Sequence, residues 1–179
     1  MKKIVLIYGL IAVAVFAITQ FGAFPFWKNG TLTFENGELV GYTSMVIALS
    51  MVFFGVKSYR DNHLNGSVTF GKALQVGLLI SLVASLGYAI SWEFYFNLIA
   101  PDFMEKYATF AIEKAKSRGA AEVEIQKIIT SMDQTKEMYR NPFLRFGMTV
   151  TEVLPVGVLI SLVSAALLRK KNFLATQQV

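Results

Sequence analysis

The sequence has no cysteine, which excludes disulfide staples and thiolate chemistry alike. Its single histidine, His63, is too little for a metal centre built on histidine ligands, since such centres use several nitrogen or sulfur donors. Charge is scarce: only 16% of the 179 residues are Asp, Glu, Lys or Arg, where a soluble domain carries roughly a quarter. No Gly-rich phosphate loop, HExxH, GxSxG or twin-cysteine spacing occurs, so the usual signatures of phosphoryl transfer, zinc proteolysis and serine hydrolysis are missing. No cofactor is expected. What fills the chain instead is apolar: 54% of residues are hydrophobic and mean hydropathy is +0.50.

These residues gather in four blocks, which predicts an all-α integral membrane protein with four transmembrane helices. The first block, residues 4–24, runs uncharged after Lys2-Lys3 and is about 31 Å long as a helix, enough for the hydrocarbon core. Signal-peptide cores run only ~7–15 residues, so its length favours a retained span over a cleaved leader. The second block covers residues 40–56 and ends at Lys57, whose stem can snorkel to the interface. The third, residues 73–100, would be about 42 Å long if wholly helical and must tilt or protrude. The fourth, residues 146–168, stops at Arg169-Lys170-Lys171.

Basic residues beside the spans set the orientation. With the N-terminus in the cytoplasm, Lys2, Lys3, Lys57, Arg60, Lys72, Arg169, Lys170 and Lys171 lie inside, with Asp61 the only acid. The remaining nine basic and eleven acidic residues lie outside or in the spans. Both termini are therefore expected in the cytoplasm. Lys57, Tyr59 and Arg60 read as topology anchors rather than a headgroup site. His63 reads as a solvated loop residue, and Met45 and Met51 as packing or lipid contacts rather than a metal path.

Between the spans, Phe26 and Trp27 suit the headgroup level. Asn29-Gly30 and Asn36-Gly37 flank Thr31 to Phe34, a pattern that allows a small hairpin. Residues 101–142 read as an extracytoplasmic amphipathic insert of two helices between spans three and four. Phe103, Tyr107, Phe110 and Lys114 share one helical row, Gly119 is a stop, and Ile125, Ile128, Ile129, Met132 and Tyr139 share another. The insert could fold as a hairpin or lie on the bilayer. Its seven basic and seven acidic residues cancel, so it is no nucleic-acid arm and no strong clamp for anionic lipid.

The polar positions inside the spans are few. Glu93 stands about 31 Å up the third helix from Lys72, and Glu152 about 25 Å up the fourth from Arg169. Both carboxylates are thus expected in one outer region. A charge deep in a span costs roughly 2.5–3.5 kcal/mol, so each needs a partner, water or a proton. Thr149 and Arg145 lie one and two turns from Glu152, and Trp92 adjoins Glu93. Pro155 frees the Thr151 carbonyl beside the acid. Small residues suited to close helix packing run at Gly77, Ser81, Ser85 and Ala89 in span three, and at Gly157, Ser161 and Ala165 in span four. Two readings of the acids compete. In one, each carboxylate bonds to Arg145, Arg140, Trp92, a tyrosine or water and locks the spans together. In the other, Glu93 and Glu152 form a protonatable or cation-binding pair.

Four stretches, "FENGELVGYTSMVIALSMVFFGVKSYRD", "GSVTFGKALQVGLLISL", "WEFYFNLIAPDF" and "TEVLPVGVLISLVSAALLRKK", resemble a family of small bacterial inner-membrane proteins common in Bacteroidetes, domain of unknown function 4199 (DUF4199). The resemblance implies four spans with an external helical insert, and it brings no substrate or cofactor. The expected role is that of a non-enzymatic multi-pass membrane protein in membrane or envelope assembly. Its partners would be the bilayer and either a second copy or an envelope protein, with no nucleic acid. The alternative is a small proton- or cation-linked carrier or channel using Glu93 and Glu152.

Overall fold

A computed structural model describes residues 1–170 and 173–174. Among these residues seven helices follow in order: α1 (Lys2–Gly22), α2 (Phe24–Lys28), α3 (Phe34–His63), α4 (Phe70–Leu98), α5 (Phe103–Ser117), α6 (Glu122–Arg140) and α7 (Pro142–Leu168). No strand occurs among the described residues. The stretch running through α1 and α2, and the helices α3, α4 and α7, are each long and apolar enough to cross a bilayer. The stop-transfer residue Lys171 lies outside the described residues.

Local chemistry explains the helix starts. Thr69 caps α4 by accepting from the Lys72 amide at 3.4 Å. Asn141 caps α7, accepting from the Phe143 and Leu144 amides at 2.9 and 3.4 Å. Pro142 follows at the first helical position, where its missing N–H costs nothing. The hairpin allowed by the two Asn-Gly pairs does not form. Instead Thr33 and Asn36 make a capping box: the Asn36 carboxamide accepts from the Thr33 amide at 2.8 Å, which starts α3. Asn36 also donates to the Thr31 carbonyl at 3.0 Å. Satisfying the donors at a helix start outcompetes a two-strand ladder of four residues, which is at best marginal alone.

Helices α3 and α4 each pack on both α1 and α7, whereas α1 and α7 make no extensive contact with one another. The bundle is therefore a rhombus with α3 and α4 across its short diagonal. Its core is aliphatic and small: Ala48, Leu49, Val52 and Val56 of α3, Val76, Ile80 and Ala84 of α4, and Val153 of α7 are all fully buried. Leu10, Ile18, Val46, Phe54, Leu159 and Val163 face outward, as lipid-facing residues would.

The insert folds as a hairpin, α5 packing against α6. Gly119, at φ 72°, makes the left-handed turn that ends α5. An aromatic knot fixes the hairpin's base. The Phe34 ring lies 5.2 Å from Trp27 and 5.6 Å from each of Phe103, Tyr107 and Phe110, centroid to centroid. Phe103 also meets Trp92 of α4 edge-on at 5.2 Å. Trp27, expected at the headgroup level, is thus packed onto the start of α3.

Candidate functional site

The packing of α4 against α7 determines where every polar side chain falls. The two helices run antiparallel in a constant register. Gly77 faces Ser161, Ser81 faces Gly157, and Glu93 faces Arg145. Each step of four residues up α4 therefore meets a step of four down α7, which places Ala73 opposite Ala165, Ser85 opposite Val153 and Ala89 opposite Thr149. All of these apart from Glu93 are buried. The small-residue rows read from the sequence are the two sides of this seam. Ser81 Oγ donates to the Gly157 carbonyl or shares its proton with Ser161 Oγ, at 3.0 and 3.1 Å. Ser161 Oγ is in turn 2.7 Å from the same Gly157 carbonyl. Such close backbone approach is what glycine opposite serine permits.

At one end of the seam sits an ion pair. Arg145 Nε donates to Glu93 Oε1 at 2.8 Å, and Nη2 donates to Glu93 Oε2, a bidentate fork across two helices. Nη1 donates to the Tyr139 carbonyl at 2.8 Å, at the end of α6. The guanidinium also lies over the Phe96 ring, 4.2 Å from its centroid. Arg145 therefore joins α4, α6 and α7 at one point, and its side chain is only 5% exposed against 22% for Glu93. Thr149 Oγ1 turns back to the Arg145 carbonyl at 2.9 Å and supports the helix beneath it. Arg140 takes no part; it pairs with Glu137 at 2.6 Å on the exposed face of α6.

Glu152 is elsewhere. The register places it level with Leu86, seven residues from the Glu93 level and so about 10 Å further along the bundle. The expectation that the two acids share one depth is therefore corrected. Counting each acid from its own helix end ignores how the two helices are staggered. No hydrogen bond or ion pair joins the carboxylates among the described residues, and Glu152 forms none of its own. Its charge acts instead on the phenols of Tyr88 and Tyr139. Burial, reinforced by Glu152, holds the Tyr139 phenol above the ordinary tyrosine range.

Trp92 lies among these groups, stacked on Tyr95 and beside the Tyr139 phenol. Its indole N–H is buried without a well-aligned acceptor. Gln20, near the end of α1, accepts from Ser91 Oγ at 2.8 Å while its own amide nitrogen is buried and unpartnered. Neither Gln20 nor the Tyr139 side chain was singled out as a site residue from the sequence. A glutamine closing an otherwise apolar run was the available signal for the first; the second needs the fold.

Arg60, expected as a topology anchor, also has a structural part: it is fully buried, and its guanidinium donates to the carbonyls of Phe173 at 2.8 Å and Leu174 at 3.1 Å. Its Nε lies 2.6 Å from Asp61 Oδ1, and Lys57 meets the other Asp61 oxygen at 2.7 Å. Arginine rather than lysine at this position was the legible hint, because only a fork serves several carbonyls at once.

No group of three or more His, Cys, Asp or Glu able to hold a metal occurs among the described residues. Neither a curated protein nor a solved structure matches the chain. A family model described as "Protein of unknown function (DUF4199)" matches residues 7–170. The match runs from the first span to the last and takes in the whole α4–α7 seam with its ion pair, so the chain belongs to the DUF4199 family.

Proposed function

We propose that this is a non-enzymatic protein of the bacterial inner membrane, with both termini in the cytoplasm, that presents the α5–α6 hairpin outside for membrane or envelope assembly. One observation carries the reading: Arg145 holds the hairpin and both spans in a single junction, and Glu93 is fully engaged in making it. A rigid junction of that kind serves presentation, since a fixed mount reduces the ordering cost of docking a partner. Helix α6 is the outward side. Ile125 is its one buried residue, while Val123 and Met138 are 69% and 40% exposed. The strong excess of basic residues beside the ends of α1, α3, α4 and α7 away from the hairpin supports the orientation.

Photo-crosslinking residues placed at Val123, Gln126, Thr130 and Gln134 test the reading in living cells. A discrete crosslink to one envelope protein or to a second copy is expected. Absence of any crosslink, together with solute movement by the purified protein alone in liposomes, overturns it. A proton-linked carrier is the second reading, and the free carboxylate of Glu152 favours it. Glu93 takes no part in that version, because its oxygens are engaged by Arg145.

A further inference from the structure

Glu152 lies exposed on the outward face of α7. It stands about 25 Å from Arg169 at one end of the span and about 15 Å from Pro142 at the other, so it faces the bilayer from within the hydrocarbon. Carboxyl groups at such depth need something to share their charge, and in membrane spans they pair with one another or with other polar groups. The chain has already used the donors close by. Thr151 Oγ1 turns back to the Gly147 carbonyl at 2.8 Å and Thr149 Oγ1 to that of Arg145 at 2.9 Å, while the Arg145 guanidinium is taken by Glu93. Tyr88 and Tyr139 feel the charge of Glu152, but no hydrogen bond joins it to either among the described residues.

The face around this acid is continuous. Glu152, Pro155, Leu159, Leu162 and Ala166 are all exposed and recur at alternating steps of three and four, the spacing at which two parallel helices mesh along a left-handed seam. The α4–α7 seam follows four-residue steps instead, and none of its residues belongs to this second stripe. Within its own chain α7 packs on α3, α4 and α6, which leaves the stripe uncovered.

We propose that α7 pairs along this stripe with α7 of a second copy, the two Glu152 carboxyl groups meeting on the two-fold axis and sharing one proton. A two-fold axis along the membrane normal makes the paired helices parallel and sets each residue of the stripe beside its own counterpart. A carboxyl group suits that position, because the protonated member donates and the ionised member accepts, spreading one charge over four oxygens. A head-to-tail arrangement has no cation to offer at this depth: residues 4–24, 35–56, 73–100 and 146–168 contain no Lys or Arg. A single polar residue on such a seam also fixes the register of the two helices. The pairing lies within the bilayer and does not depend on what the α5–α6 hairpin docks, so the two readings fail separately.

The absence of cysteine makes the test direct. Leu159→Cys and Ala166→Cys each place one thiol on the stripe, whereas Leu10→Cys and Val46→Cys place one on the exposed faces of α1 and α3. Oxidation of the full chain in its membrane is expected to give a disulfide-linked dimer about tenfold faster at 159 and 166 than at 10 and 46. Equal rates at all four positions mean chance collision, and no dimer at 159 and 166 means that lipid or a different protein covers the face; either result overturns the proposal. The carboxyl group is tested in the Leu159→Cys chain. Glu152→Gln, whose carboxamide both donates and accepts, is expected to keep the rate within about twofold. Glu152→Leu, a side chain at home against lipid, is expected to lower it about fivefold or more. Leucine that leaves the rate unchanged, or glutamine that abolishes the dimer, overturns the shared-proton pair.

Discussion

Gly157 and Ser81 meet across the α4–α7 seam so closely that a methyl group built on the glycine would stand 2.7 Å from the serine Cβ. The reciprocal pair repeats the fit, with a Cβ at Gly77 falling 2.9 Å from that of Ser161. Neither neighbour can yield by rotating, because the contact is at Cβ. Helix separation here is therefore set by the missing side chains.

Alanine at residue 157 is expected to destabilise the bundle by about 1–3 kcal/mol, the usual cost of overpacking. Alanine at Gly147, on the same helix but with no atom within 4 Å of the added Cβ, is expected to be neutral or to stabilise by up to about 1 kcal/mol through helix propensity. Thermal unfolding of both variants in the same detergent checks the opposite signs. Equal effects would mean that the seam is looser than its glycines require.

The Glu93–Arg145 pair gives the second prediction. Glu93→Gln leaves a guanidinium buried between three helices with half its fork unmet, and should cost about 3 kcal/mol, the low end for breaking a buried pair because Glu93 is partly exposed. Arg145→Lys keeps the charge but loses the second arm, the Tyr139 carbonyl and the stacking on Phe96, so it should fall well short of rescue. A double variant, Glu93→Gln with Arg145→Gln, is expected to recover part of the loss, with a coupling energy of about 1–3 kcal/mol in the thermodynamic cycle. Additive losses would show that the two residues act independently.

How much of this was readable in advance depends on the range of the interaction. The four apolar helices follow from runs of side chains and the cost of a bare backbone in lipid, both local properties. The residues of the seam were visible for the same reason, since Gly77, Ser81, Gly157 and Ser161 recur at helical spacing. Which residue faces which was not, because register is a property of two helices together. That is why Glu93 found Arg145, fifty-two positions away, while Glu152 fell about two turns short of it. The Asn-Gly pair at Asn36 misled for a different reason: the same asparagine that favours turns is also a good helix-start residue, and the apolar run after it decided in favour of the helix.

Tyr139 supplies a pH dependence with a definite sign. Its phenol is held above the ordinary value of 10.0 in the folded protein, first by burial and then by Glu152. The unfolded chain therefore releases this proton at lower pH than the folded one. The associated stability is fully present below about pH 10 and is lost as pH rises through the folded value. Alkaline titration of thermal stability in detergent should show a steeper fall for the unaltered protein than for Tyr139→Phe. Identical slopes would place Tyr139 in an environment no different from solvent.

At the opposite end, Arg60 makes a prediction about the chain end rather than the bundle. Its guanidinium holds the Phe173 and Leu174 carbonyls, and Nη1 lies 3.5 Å from the Leu168 carbonyl at the close of α7. A cation at a helix C-terminus is also favoured by the helix dipole. Arg60→Lys keeps that charge and places a single ammonium where a planar fork served separate carbonyls, so at least one acceptor loses its donor. The expected cost is about 1–3 kcal/mol, and it should be local. Tryptic cleavage after Arg169 or Lys170 is expected to accelerate severalfold in detergent-solubilised Arg60→Lys, while melting of the bundle shifts little. Cleavage at the original rate would mean that the chain end is held by its apolar contacts, with Phe173 packed on the core, and that the arginine is buried for another reason.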